Sequence, residues 1–81
     1  MKVTIKLFAA MREAVGQSEV VLDVPPGAIV AQVKSAFCEA FPQTRGLVER
    51  SMFAIDTCYA VDNETIPANA EIACLPPVSG G

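Results

Sequence analysis

Apolar and polar residues alternate from Lys2 to Phe8: Val3, Ile5 and Leu7 share one parity, Lys2, Thr4 and Lys6 the other. A period of two is the signature of a half-buried strand, so a first strand is predicted here. "AAMREAVG" then supplies good helix formers stopped by Gly16, enough for a short helical turn rather than a full helix. Ser18 to Val24 returns to period two, with Val20, Leu22 and Val24 on one face and Glu19, Val21 and Asp23 on the other. The two strands are expected to pair as an antiparallel hairpin.

Pro25-Pro26-Gly27 must end the second strand, because proline cannot donate to a ladder and Pro-Gly favours a turn. From Ile29 to Phe41 the period changes to that of a helix, with Val30, Val33, Phe37, Ala40 and Phe41 forming an apolar stripe that has to pack on a sheet. Pro42 closes this helix. Gln43 to Ser51 is polar and reads as loop or a short helical turn. "MFAID" reads as a third strand, "CYAVDNETIP" as a short extended piece broken at Asp62-Asn63, and "ANAEIACLPP" as the final strand. In that strand Ile72 and Cys74 share one parity and Ala73 and Leu75 the other, so if Ile72 faces the core, Leu75 faces out.

Strand, strand, helix, strand, short strand, strand is the order of an α+β domain with a mixed sheet wrapped around one main helix, the β-grasp arrangement familiar from ubiquitin. Eighty-one residues make one small domain that buries about 60% of the surface its unfolded chain exposes, too little for a catalytic cleft of its own. With 52% hydrophobic residues, some apolar surface is expected to meet a partner.

The net charge is −3 and the six Lys and Arg residues are scattered, so there is no basic patch to hold nucleic acid. No segment has the length of a membrane span, and the N-terminus reads as a strand rather than a leader, which points to a soluble cytoplasmic protein. Cys38, Cys58 and Cys74 are an odd, widely spaced set without histidine or a CxxC pair; free buried thiols are expected, and no metal.

The chemistry concentrates in "PPVSGG". Pro76 and Pro77 stiffen the chain as it leaves the fold, while Gly80 and Gly81 carry no side chains and suit a narrow channel. Residues 1–75 are therefore read as the domain and residues 76–81 as a flexible tail.

"LFAAMREAVG", "VPPGAIVAQV" and above all "EIACLPPVSGG" resemble the small subunit of molybdopterin synthase, a ubiquitin-like sulfur carrier. The family usually has Asp-Gly-Asp where Ala68-Asn69-Ala70 stands here, and Asn69 can take the glycine's place because Asn tolerates positive φ. The resemblance implies that Gly81 is adenylated by an adenylyltransferase resembling ubiquitin-activating enzymes, which uses ATP and Mg. A persulfide donor then converts the acyl-adenylate to a thiocarboxylate, with no permanently bound cofactor. It also implies that Pro76, Pro77, Val78, Ser79 and Gly80 insert into a large synthase subunit, where two sulfur deliveries to cyclic pyranopterin monophosphate build the dithiolene. The assembly implied is a heterotetramer in which this chain is a co-substrate more than a catalyst.

Leu75, Phe8 and Arg12 are candidate partner contacts, against a core role for the phenylalanine and a solvated arginine. Cys74 reads as a small buried hydrophobe rather than a sulfur relay. Two alternatives remain open: a carrier for thiamine thiazole, tRNA thiolation or cysteine synthesis, which share the terminal diglycine, and a non-catalytic β-grasp binding module.

Overall fold

The structure, a computed structural model, describes residues 1–77. Val78, Ser79, Gly80 and Gly81, all assigned to the tail by the sequence, lie outside the described residues. Five strands form one mixed sheet: β1 (Lys2–Leu7), β2 (Glu19–Asp23), β3 (Met52–Ile55), β4 (Cys58–Ala60) and β5 (Glu71–Leu75), in the spatial order β2-β1-β5-β3-β4. The β1–β2 hairpin is antiparallel as expected, with Val3 opposite Leu22. At the centre β1 and β5 run parallel with Ile5 opposite Ile72, and β3 lies antiparallel to both β5 and β4. This is the β-grasp architecture that the order of elements predicts.

Helix α2 (Val30–Ala40) covers one face of the sheet. Val30, Val33 and Phe37 are buried as the stripe requires, and they join Ile5, Leu7, Phe53, Ile72 and Cys74 in one core. Ala40, expected on the stripe, is exposed, and Cys38 is buried instead. Helix angle does not decide this, since at ~3.6 residues per turn Ala40 lies closer to the Phe37 direction than Cys38 does; Cys38 instead lines one hollow with Arg45, Val48 and Glu49, while Ala40 is the last residue of the helix. Phe41 closes the helix and leans on Phe37 at 5.1 Å between ring centroids.

Ile29 precedes α2 and offers no side-chain acceptor, so other groups satisfy the first helical donors. The Val30 and Ala31 N–H groups donate to the Glu64 and Asp62 carbonyls at 3.0 and 2.9 Å, and Gln32 Oε1 accepts the Ile29 N–H at 2.9 Å. The loop between β4 and β5 is thus the cap of the helix, a tertiary solution to an N-terminus that local sequence leaves open.

Two segments are more helical than expected. α1 (Ala9–Val15) is a full seven-residue helix anchored by Met11, and its Gly16 cap takes φ 84° and donates its N–H to the Arg12 carbonyl at 2.8 Å. Gln43–Ser51 holds the end of a 3-10 turn (Pro42–Thr44), and then α3 (Arg45–Arg50). Val48 is the buried residue of α3, too sparse a pattern for periodicity to reveal. Buried Thr44 and Ser51 return their hydroxyls to the Phe41 and Leu47 carbonyls, both at 2.7 Å. No helix among the described residues is long and apolar enough to cross a membrane.

Asp56 and Thr57 form the two-residue connection of the β3–β4 hairpin, with φ of 46° and 72°. Positive φ at both positions is the requirement of a type I′ turn, and it favours Asn-Gly or Asp-Gly. A β-branched residue is strained there. Thr57→Gly is expected to stabilise the domain by about 1 kcal/mol, raising Tm by about 4–8 °C in a thermal melt.

Candidate functional site

β5 is both a central strand and the strand that leads to the tail, so the site is built around its end. Alternation in β5 puts Ile72 and Cys74 into the core and sends Ala73 and Leu75 to the outer face, away from α2. Leu75 is half-buried, as is Pro76, while Pro77 is exposed, and among the described residues no regular structure continues past Leu75. Sheet register places Met52 opposite Leu75 on β3, and Phe8 follows directly after the Leu7–Cys74 pair of β1. Phe8, Leu75 and Met52 therefore form a row across three strands at the point where the chain leaves the sheet.

A second row runs behind the first: Lys6, Ala73, Ala54 and Tyr59, paired in that order across β1, β5, β3 and β4. Phe8, Met52 and Tyr59 are 42%, 52% and 69% exposed. Elsewhere the outer face carries Thr4 and Val21 between two ion pairs, Lys2 with Asp23 at 3.1 Å and Lys6 with Glu71 at 3.3 Å. An apolar patch rimmed by ion pairs is the composition of a surface that meets a partner.

Of the residues singled out from sequence, Phe8 and Leu75 belong to this patch, and Phe8 is not a core residue. Arg12 is exposed on α1 and lines a shallow pocket of about 370 Å³ with Phe8, Lys6, Leu7, Ser18 and Glu19, so the structure brings the Phe8–Arg12 pair together. Pro76 and Pro77 lie just beyond the patch; Gly81 and the three residues before it are outside the described chain. Sequence reasoning missed Met52, Ala54, Ala73 and Tyr59. The available signal was that "EIACL" and "MFAI" are apolar at both parities in a sheet whose helices cover one face.

Asn69 takes φ 63°, the left-handed conformation expected of the residue replacing the family's glycine, and the turn closes with the Ala70 N–H on the Pro67 carbonyl at 3.2 Å. Cys74 is fully buried, as expected, and Cys38 is buried, but Cys58 is exposed on β4, next to the hairpin turn, where no helix covers it.

Burial pushes the Cys74 thiol up to about 11, against the weaker downward pull of the Ser51 hydrogen bond and the Lys34 charge. A thiol this reluctant to ionise is no sulfur relay. The raised value also sets a pH dependence. Stability is fully present below about pH 9, where the unfolded thiol is still neutral, and falls as pH rises through about 11, as the unfolded thiol ionises first. The loss is on the order of 2 kcal/mol; chemical denaturation across that range should show the slope, and Cys74→Ala should remove it. Among the described residues no group of His, Cys, Asp or Glu side chains converges to hold a metal ion.

The geometry has close relatives. A molybdopterin synthase sulfur carrier subunit from Dictyostelium discoideum is 31% identical over 84 residues, covering 95% of this chain and 93% of the relative. One of the same name from Arabidopsis thaliana is 26% identical, covering 100% and 84%. The crystal structure of SAMP1 from Haloferax volcanii superposes with a TM-score of 0.90 at 29% identity, covering both chains completely. The ThiS family model matches residues 5–81, from the first central strand through the diglycine, and the chain belongs to the ThiS family.

Proposed function

We propose that this chain is the sulfur-carrying subunit of a molybdopterin synthase. The observation that carries the reading is the continuity of β5: the strand passes through the centre of the sheet, emerges beside Phe8, Leu75 and Met52, and leads through Pro76-Pro77 to Gly80-Gly81. A partner that grips the apolar face takes hold of the tail by the same act. The relatives named as molybdopterin synthase sulfur carrier subunits, matched over 84%, 93% and 100% of their length, support the assignment.

A carboxylate is a poor electrophile, so Gly81 needs activation. An adenylyltransferase joins it to AMP at the expense of ATP, releasing pyrophosphate. A persulfide sulfur displaces AMP, and thiol reduction of the resulting acyl disulfide leaves the thiocarboxylate. The prolines lower the entropy lost when the tail is fixed in the large subunit. The large subunit supplies the acid-base and anion-binding groups for the pterin phosphate, because this chain has no histidine.

Intact mass spectrometry after incubation with ATP, a matching adenylyltransferase and a persulfide donor tests the proposal. One oxygen-to-sulfur exchange is expected, followed by its loss when the large subunit and the pterin phosphate are added. Exchange without that loss would move the chain to another sulfur pathway.

A second reading has its own observation, the 27% and 29% identity to proteins named small archaeal modifier protein 1 or SAMP1. The same acyl-adenylate, attacked by a lysine amine instead of sulfur, would attach the chain to another protein through an amide. Intact mass spectra separate the readings when an acceptor protein is present, since attachment adds the mass of the chain less one water to the acceptor.

A further inference from the structure

We infer that Asp56, in the β3–β4 turn, is a positioning residue that sets the register of β5 and with it the place where the tail begins. The need for such a residue is visible in the strand itself. Ile72 and Cys74 face the core, but Ala73 and Leu75 are also apolar and of similar combined bulk. A slip that carried Ala73 and Leu75 into the places of Ile72 and Cys74 would still bury an apolar set, whereas the opposite slip is barred because it would bury Glu71. Hydrophobic pattern, the usual guardian of register, therefore discriminates weakly in the one strand whose register the tail inherits.

Asp56 supplies the missing discrimination at the opposite end of the strand. The β3–β5 ladder runs from Met52–Leu75 to Ile55–Ile72, and Asp56 continues it: its N–H donates to the Glu71 carbonyl at 2.9 Å. Its carboxylate Oδ1 accepts the Glu71 N–H, also at 2.9 Å. One residue thus binds both backbone groups of Glu71, and the charged acceptor gives the stronger class of hydrogen bond. A shifted strand would present a different residue, in the opposite orientation, to a carboxylate that the tight turn holds in place. The Lys6–Glu71 ion pair is half-exposed and holds the same residue only loosely. A one-residue slip would move the tail origin by ~3.3 Å. The bearing of that displacement on sulfur delivery rests on the proposed function; the register itself does not.

Cys74 reports the slip, because it lies in the core in the native register and on the outer face in the shifted one. The experiment is iodoacetamide labelling of the folded full chain, read at the peptide level, for wild type, Asp56→Ala and Asp56→Asn at low denaturant concentrations. Global unfolding of each is followed by circular dichroism. In Asp56→Ala, Cys74 labelling should rise about tenfold, with a denaturant slope well below that of global unfolding, the mark of a local rearrangement. Asp56→Asn, whose amide oxygen accepts the same N–H, should restore most of the protection. Unchanged labelling in Asp56→Ala, labelling that follows the full unfolding slope, or no rescue by Asn would each overturn the inference.

Discussion

Deleting Gly81 is expected to abolish the oxygen-to-sulfur exchange while leaving the thermal melt unchanged. The truncated chain still ends in a glycine carboxylate, but that carboxylate is one residue, or ~3.3–3.6 Å, short of its former reach. A displacement of ~1 Å at a reacting centre costs about 100-fold, so a full residue takes the rate below detection. The core draws on residues from Val3 to Cys74, so the deletion removes none of the packing that holds the fold. Gly80→Val should give the same result for a different reason, since it restores length but adds a β-branched side chain to a backbone expected to pass through a narrow channel. Exchange that survives in both variants would place the reactive group elsewhere and remove the proposed function.

The second large effect concerns the outer face. Met52→Glu places a charge at the β3 end of the row that runs from Phe8 through Leu75, on a side chain already more than half exposed. The free chain should fold normally. Affinity for the large subunit, measured by calorimetry, should fall by about 2–4 kcal/mol, roughly 30- to 1,000-fold, because the partner would have to bury the carboxylate unpaired. Val21→Glu, equally exposed but on the far edge strand β2, is the control and should bind as wild type does. Equal losses in both variants would point to a general charge effect and dismiss the apolar row as the docking surface.

Much of this architecture was legible because β1, β2 and helix α2 each follow a single period. Val3, Ile5 and Leu7 in β1 and Val30, Val33 and Phe37 in α2 each announce the face they bury, and the Pro-Pro-Gly and Asp62-Asn63 punctuation separates the elements. What escaped was decided by tertiary contacts. α3 packs on the 3-10 turn and α2 through Val48, and one buried residue makes no repeat that a window could see. The outer patch was half legible: Leu75 could be found beside the tail and Phe8 through the resemblance of its stretch, but Met52 joins them only through its long-range pairing with Leu75, and Tyr59 only through the β3–β4 hairpin that sets it opposite Ala54. Cys58 could not be placed for a related reason, since a three-residue edge strand carries too few positions to declare an inner side.

The parallel pairing of β1 with β5 also bears on how the molecule is made. The two central strands come from opposite ends of the chain, Thr4 lying beside Glu71, so the sheet has no middle until the last strand is in place. Contacts of such long range make folding slow relative to helical domains of this size. They also mean that a ribosome releases nothing foldable until Glu71–Leu75 has been synthesised. Quality control is then intrinsic to the topology: a chain cut short before its final strand lacks Leu75, the middle of the apolar row, and with it the strand that joins the two halves of the sheet.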